Sequence, residues 1–152
     1  RMAKKAGTYL SMDIYNTEYT LTEGEKNGVP VENLDKERLV GKTQRDSFSQ
    51  AVKANARVVL GSDAGIYPHG DNAKQFSRMV QFGMTPLQAI QAGTSKSAEL
   101  LGWQDSVGDL SEGKFADVIA VEGNPLDDVS ILENVVFVMK DGNVIKPLKK
   151  SR

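Results

Sequence analysis

Between Gly61 and Gly70 the chain reads Gly-Ser-Asp-Ala-Gly-Ile-Tyr-Pro-His-Gly, which brings a carboxylate, an imidazole and a phenol onto one short segment. Asp63 follows the apolar run Val58, Val59, Leu60. A carboxylate in that place emerges at the C-terminal edge of a parallel sheet, where α/β folds and barrels build their active sites. Gly61, Ala64 and Gly65 permit close backbone approach by a ligand, or a tight turn. On position alone, Asp63 reads equally as a turn or capping residue. His69 is the only histidine, and one histidine does not make a His-rich metal site. It reads as a loop residue or, from its place beside Asp63, a functional one. Tyr67 stands open between packing and substrate contact. Ser62 lacks the flanking pattern of an activated serine, and the chain has no phosphate-cradling lysine loop, nucleophile elbow or HExxH. Asp127 and Asp128, after Pro125, read as a turn rather than as paired catalytic carboxylates.

The elements around this loop are expected as follows. Thr8 to Tyr15 is β-prone and gives way to a long polar loop, Asn16 to Asn33. Leu34 to Asn55 has helical periodicity, with Leu39, Phe48, Ala51 and Val52 as its apolar face and Asp35 as its N-cap. Arg57 to Leu60 lacks alternation, as a strand buried on both faces does. A helix from about Asn72 to near Gly83 carries Phe76, Met79 and Val80 inward. Thr85, Pro86 and Gln88 form a helix start with a capping box, and the helix runs through Leu87, Ile90, Thr94, Ala98 and Leu101 to Gly102. Short strands are then expected at Val107 to Leu110, Ala116 to Val121, Val135 to Lys140 and Asn143 to Ile145, with Asp141-Gly142 as a hairpin turn. The first half is thus βαβα, which requires a parallel sheet with right-handed crossovers. Two strands alone do not make a stable sheet of that kind.

The 152 residues suit one domain or two smaller regions, and are too few for a complete eight-stranded barrel, which needs about 250. With 39% apolar and 26% charged residues, the composition is that of a soluble globular protein. A net charge of −1, from 19 basic and 20 acidic side chains, supplies no footprint for nucleic acid. The ending Lys149, Lys150, Ser151, Arg152 reads as a solvated tail. Without cysteine, disulfides and thiolate metal sites are excluded. No apolar run approaches the roughly 20 residues of a membrane span, and residues 1–15 do not read as a signal peptide. A cytoplasmic location is the default expectation. Arg1 before Met2 reads as an internal start or an added residue.

Gly61-Ser62-Asp63-Ala64-Gly65 followed by Tyr67-Pro68-His69-Gly70 resembles the eighth-strand motif of the amidohydrolase superfamily, in the branch of imidazolonepropionase-like enzymes and Xaa-Pro dipeptidases (prolidases). Thr85 to Ile90 and Ala92-Gly93-Thr94 resemble the helix that closes that barrel. Gly108 to Ile119, then Asn124-Pro125-Leu126, resemble the return of the chain into the small accompanying β-sandwich. The resemblance implies an α/β fold: residues 1–104 as the seventh and eighth βα units of a TIM-type barrel with its closing helix, and residues 105–152 as the C-terminal part of the β-sandwich with a basic tail.

It also implies hydrolysis of an amide or peptide-like C–N bond by water activated on a divalent metal, expected as zinc. Asp63 would ligate the metal, take the proton of the attacking water and hand it to the leaving amine. His69 and Tyr67 would contact a small-molecule or dipeptide-like substrate. The family's metal-binding histidines and lysine have no counterpart here, so the chain alone is expected to bind no metal and to be an inactive C-terminal part of a larger enzyme. Open sheet edges invite association, so a homo-oligomer is expected. The alternatives are a non-catalytic oligomerisation or interaction module on the same fold remnant and, third, a small α/β binding domain unrelated to hydrolases.

Overall fold

Residues 2–148 are described by the structure, a computed structural model; the basic ending at Lys149 to Arg152 lies outside them. A short helix α1 (Met2–Ala6) leads into β1 (Tyr9–Met12), which pairs in parallel with β2 (Arg57–Leu60), Tyr9 opposite Arg57 and Met12 opposite Leu60. The Gly61 amide donates to the Met12 carbonyl at 3.0 Å and carries the pairing one residue further. β1 is shorter than the expected Thr8 to Tyr15 because the amides of Ile14 and Tyr15 donate to the Gln75 side chain instead of to a neighbouring strand.

The expected loop from Asn16 contains a helix, α2 (Asn16–Glu23), packed on α3 (Val31–Lys53). The α3 helix begins after Pro30, whose φ of −55° and ψ of 144° place it outside the helix, rather than at an Asp35 cap. Its buried residues are Leu34, Gly41 and Phe48, and Leu39 stands on the opposite side at 74% exposure. Gly41 is where α2 rests on α3: a Cβ there would lie 2.2 Å from Thr17 Cγ2, and Thr17 is 1% exposed. Gly41→Ala is therefore expected to destabilise the chain by about 1–3 kcal/mol through overpacking. A urea titration checks this, and an unmoved midpoint would show that α2 yields freely.

Beyond β2, a 3₁₀ turn at Asp71–Ala73 leads into α4 (Lys74–Gln81). At Thr85 both halves of the capping box form, Gln88 N donating to Thr85 Oγ1 at 3.2 Å and Thr85 N to Gln88 Oε1 at 2.9 Å. The single helix expected after it is two, α5 (Pro86–Gly93) and α6 (Ser95–Leu101), broken where Thr94 leaves helical geometry at φ −128°, ψ −98°. Gly102, at φ +70°, closes α6 as expected. Ile14, Phe48, Val58, Met79, Met84, Ala89 and Ala92 form the core between the two-stranded sheet and α3, α4 and α5.

In the last third, β3 (Val118–Val121), β4 (Val135–Lys140) and β5 (Asn143–Lys146) form an antiparallel sheet with β4 central. Asp141 and Gly142, both with positive φ (48° and 75°), make the expected two-residue hairpin. Val107 to Leu110 is not a strand: Gly108 turns there at φ +102°, against Ala98. Beyond it, Lys114 Nζ donates to Asp109 at 2.6 Å, and that bond, with those from Ser111, holds the Asp109 carboxyl at about 2. No described helix is long and apolar enough to cross a membrane.

Candidate active site

Each parallel strand delivers a carboxylate from its C-terminal end: Asp13 directly after β1, and Asp63 three residues after β2. Asn16, the first residue of α2, joins them. Its Nδ2 donates to Asp13 Oδ2 at 2.5 Å and to Asp63 Oδ2 at 3.3 Å. Asp63 adopts φ +48°, a left-handed conformation that costs a non-glycine residue on the order of 1–3 kcal/mol and persists where its surroundings hold it; Asp and Asn are among the side chains that tolerate it best.

Polar groups of α3 support the β1 side from within. Gln44 Nε2 donates to the Asp13 carbonyl at 2.6 Å, and the Thr17 hydroxyl donates to Glu37 Oε1 at 2.6 Å. Burial pushes the Asp13 carboxyl above its ordinary value, against the bond from its own backbone; the negative charge of Asp63 adds to the rise. The sign for stability follows. Below the ordinary value of 3.8 both folded and unfolded chains hold this proton; as pH climbs through the raised folded value, the fold loses stability because it must carry a disfavoured charge. Asp13→Asn keeps an oxygen for Asn16 and removes the charge. It is therefore expected to melt higher than the parent at pH 7 and level with it below the ordinary carboxylate range. Paired thermal melts at the two pH values check this, and equal melting at both would show that Asp13 carries its charge without cost.

Of the expected site residues, Asp63 and His69 are exposed on the loop after β2. Tyr67 is turned inward. It is 2% exposed, its hydroxyl donates to the Ser62 carbonyl at 2.5 Å, and burial pushes its phenol upward. Its ring packs edge-on against Tyr15, with centroids 4.9 Å apart. Asp13, Asn16 and Gln75 belong to the arrangement too, and sequence reading passed over them. The only available signal was that Asp13 follows β1 as closely as a carboxylate can.

Two carboxylates do not make a metal centre. Among the described residues no group of three or more His, Cys, Asp or Glu is placed to hold an ion. A zinc ion takes three or four protein ligands, so the donors present do not by themselves fit one.

The chain is 35% identical over 124 residues to ochratoxinase of Aspergillus niger, an alignment covering 78% of this chain and 25% of that protein. It is 31% identical over 87 residues to imidazolonepropionase of Acinetobacter baumannii, covering 54% and 21%. Its structure superposes on that of a Xaa-Pro dipeptidase with bound methionine in the active site, with a TM-score of 0.88 and 37% identity over 96% of this chain and 36% of the other. The chain thus spans about a quarter of the length of the curated relatives it matches. The model of the amidohydrolase family matches residues 1–152. That match, together with two parallel strands delivering carboxylates at one end, makes this chain a member of the amidohydrolase family.

Proposed function

We propose that this chain is the C-terminal part of a metal-dependent amidohydrolase that hydrolyses an amide or peptide-like C–N bond, with Asp63 as its catalytic residue. The observation that carries the reading is Asp63 itself, an exposed carboxylate just beyond a parallel strand, held at φ +48° and hydrogen-bonded on one oxygen by Asn16. Such a carboxylate is equipped to take the proton of an attacking water and return it to a leaving amine. Residues 1–104 are read as the last two βα units and closing helix of a TIM-type barrel, and residues 105–152 as part of its β-sandwich. Asp63 is also the position of this chain proposed to touch a divalent metal, zinc on the family resemblance, with the other ligands supplied from outside the chain. Alone, the chain is expected to be inactive.

A dipeptide-like substrate is supported by the likeness to the Xaa-Pro dipeptidase. His69 is proposed to contact it from the rim, while Tyr67 shapes the loop from beneath. A cytoplasmic location, without nucleic acid as partner, accompanies the reading. The test is release of free amino acid from a panel of Xaa-Pro dipeptides and N-acyl amino acids by the enzyme that contains this chain. No turnover on any of them, with metal supplied, would overturn the reading.

A second reading, an oligomerisation module on the same fold, is favoured by a different observation. Among the described residues the outer edges of β1 and β2 pair with nothing, and Ile119, Val144 and Ile145 are exposed by 53–66%. Unpaired edges and exposed apolar side chains favour association. Sedimentation of the chain is expected to give dimers or larger species, and a monomer at every concentration would exclude it.

A further inference from the structure

Gln75 lies in the first turn of α4, is 0% exposed, and has no part in the chemistry proposed above. A glutamine amide accepts two hydrogen bonds and donates two, and all four are made here. Oε1 accepts from the amides of Ile14 (2.9 Å) and Tyr15 (3.1 Å). Nε2 donates to the Ser62 carbonyl and to the Tyr67 hydroxyl, both at 3.3 Å. The first pair lies on the segment after β1 and the second on the segment after β2, so one side chain ties together the two strand ends that deliver Asp13 and Asp63.

The Ser62 carbonyl, which also accepts from the Tyr67 hydroxyl, belongs to the same rigid peptide unit as the Asp63 amide. Two donors on that carbonyl therefore orient the plane from which the φ of Asp63 is measured. On the other side, fixing Ile14 and Tyr15 fixes the start of α2 and with it Asn16, the donor to Asp63 Oδ2. We propose that Gln75 is the positioning residue of the site: its buried amide clamps the segments after β1 and β2 into one unit and holds Asp63 in its left-handed conformation. That Asp63 is held for hydrolysis rests on the function proposed above; the clamp itself does not.

The test separates the two. In the 152-residue chain, Gln75→Leu keeps the volume and removes all four bonds. By NMR, the Ile14 and Tyr15 amides are expected to exchange about tenfold faster or more, and the Asp63 HN–Hα coupling is expected to change, with Val58 and Val59 unaffected. If the Asp63 coupling stays and only the melting temperature falls, Gln75 is a core residue and the proposal is overturned. Should Gln75→Leu not fold, Tyr67→Phe keeps the buried ring and removes one donor from the Ser62 carbonyl. It is expected to move the Asp63 amide resonance, and an unmoved resonance likewise overturns the clamp. In the enzyme that contains this chain, Gln75→Glu keeps an acceptor for Ile14 and Tyr15 and loses the donors to Ser62 and Tyr67. It is expected to lower kcat by about 10²-fold, with KM changed much less. An unchanged kcat in an active parent overturns the clamp's role in catalysis, whereas an inactive parent overturns the hydrolase reading and leaves the NMR result to decide the clamp.

Discussion

Asparagine in place of Asp63 is expected to lower hydrolysis by about 10²–10⁴-fold, the usual contribution of a positioned proton acceptor, while the chain stays folded. The substitution isolates the charge. Asn has the same shape, tolerates the left-handed backbone that Asp63 occupies at φ +48°, and keeps a side-chain oxygen for the bond from Asn16. Alanine would be a poorer probe, because it would release the Asn16 contact and strain the backbone together. Since Asp63 is exposed, desolvation gives no reason for the fold to lean on its charge, so the melting temperature of Asp63→Asn is expected to move little. Turnover by the Asp63→Asn enzyme within tenfold of the parent's would remove Asp63 from the proposed reaction. A large loss of melting temperature would instead assign its effect to structure.

What was legible in the sequence was local. The Thr85-Pro86-Gln88 start and the Asp141-Gly142 turn use contacts between neighbours along the chain, so residue type alone decides them. The place of Asp63 just beyond the C-terminal end of β2 was legible from the apolar run Val58 to Leu60 before it, while position alone left its role open between a site carboxylate and a turn or capping residue. The rest depended on partners distant in sequence. The α2 helix contains Thr17, Thr20 and Thr22, β-branched residues of low helix propensity, and exists because it packs on α3; read alone it is a polar loop. Polarity and exposure usually coincide, so nothing in the types of Glu37, Gln44 and Gln75 marks them as inward-facing. Here Gln75 is buried and Glu37 and Gln44 are half-buried, and they bond Thr17, the Asp13 carbonyl and the amides of Ile14 and Tyr15. A buried polar group is retained where its bonds are made, and periodicity of apolar residues gives no sign of it.

The buried face of α3 also differs from the expected one, and a pair of substitutions separates the two versions. Periodicity places Leu39 beside Phe48 on the apolar side, whereas the structure buries Leu34, Gly41 and Phe48 and leaves Leu39 74% exposed. Phe48 is 0% exposed and packed among Ile14, Val58 and Met79. Phe48→Ala is therefore expected to cost about 3–5 kcal/mol, the lost transfer energy of the ring plus the cavity it leaves. Against a total of about 5–15 kcal/mol for a typical domain, that is a large share of the stability. Leu39→Ala is expected to change stability by no more than about 0.5 kcal/mol. Urea unfolding followed by circular dichroism reads both, and comparable losses at the two positions would mean that α3 presents its other face to the core. The consequence reaches the site, because Gln44 lies one helical turn before Phe48 on the same side and holds the Asp13 carbonyl. Loosening α3 at Phe48 is therefore expected to free the segment after β1, so the Ile14 and Tyr15 amides should lose protection in Phe48→Ala and keep it in Leu39→Ala.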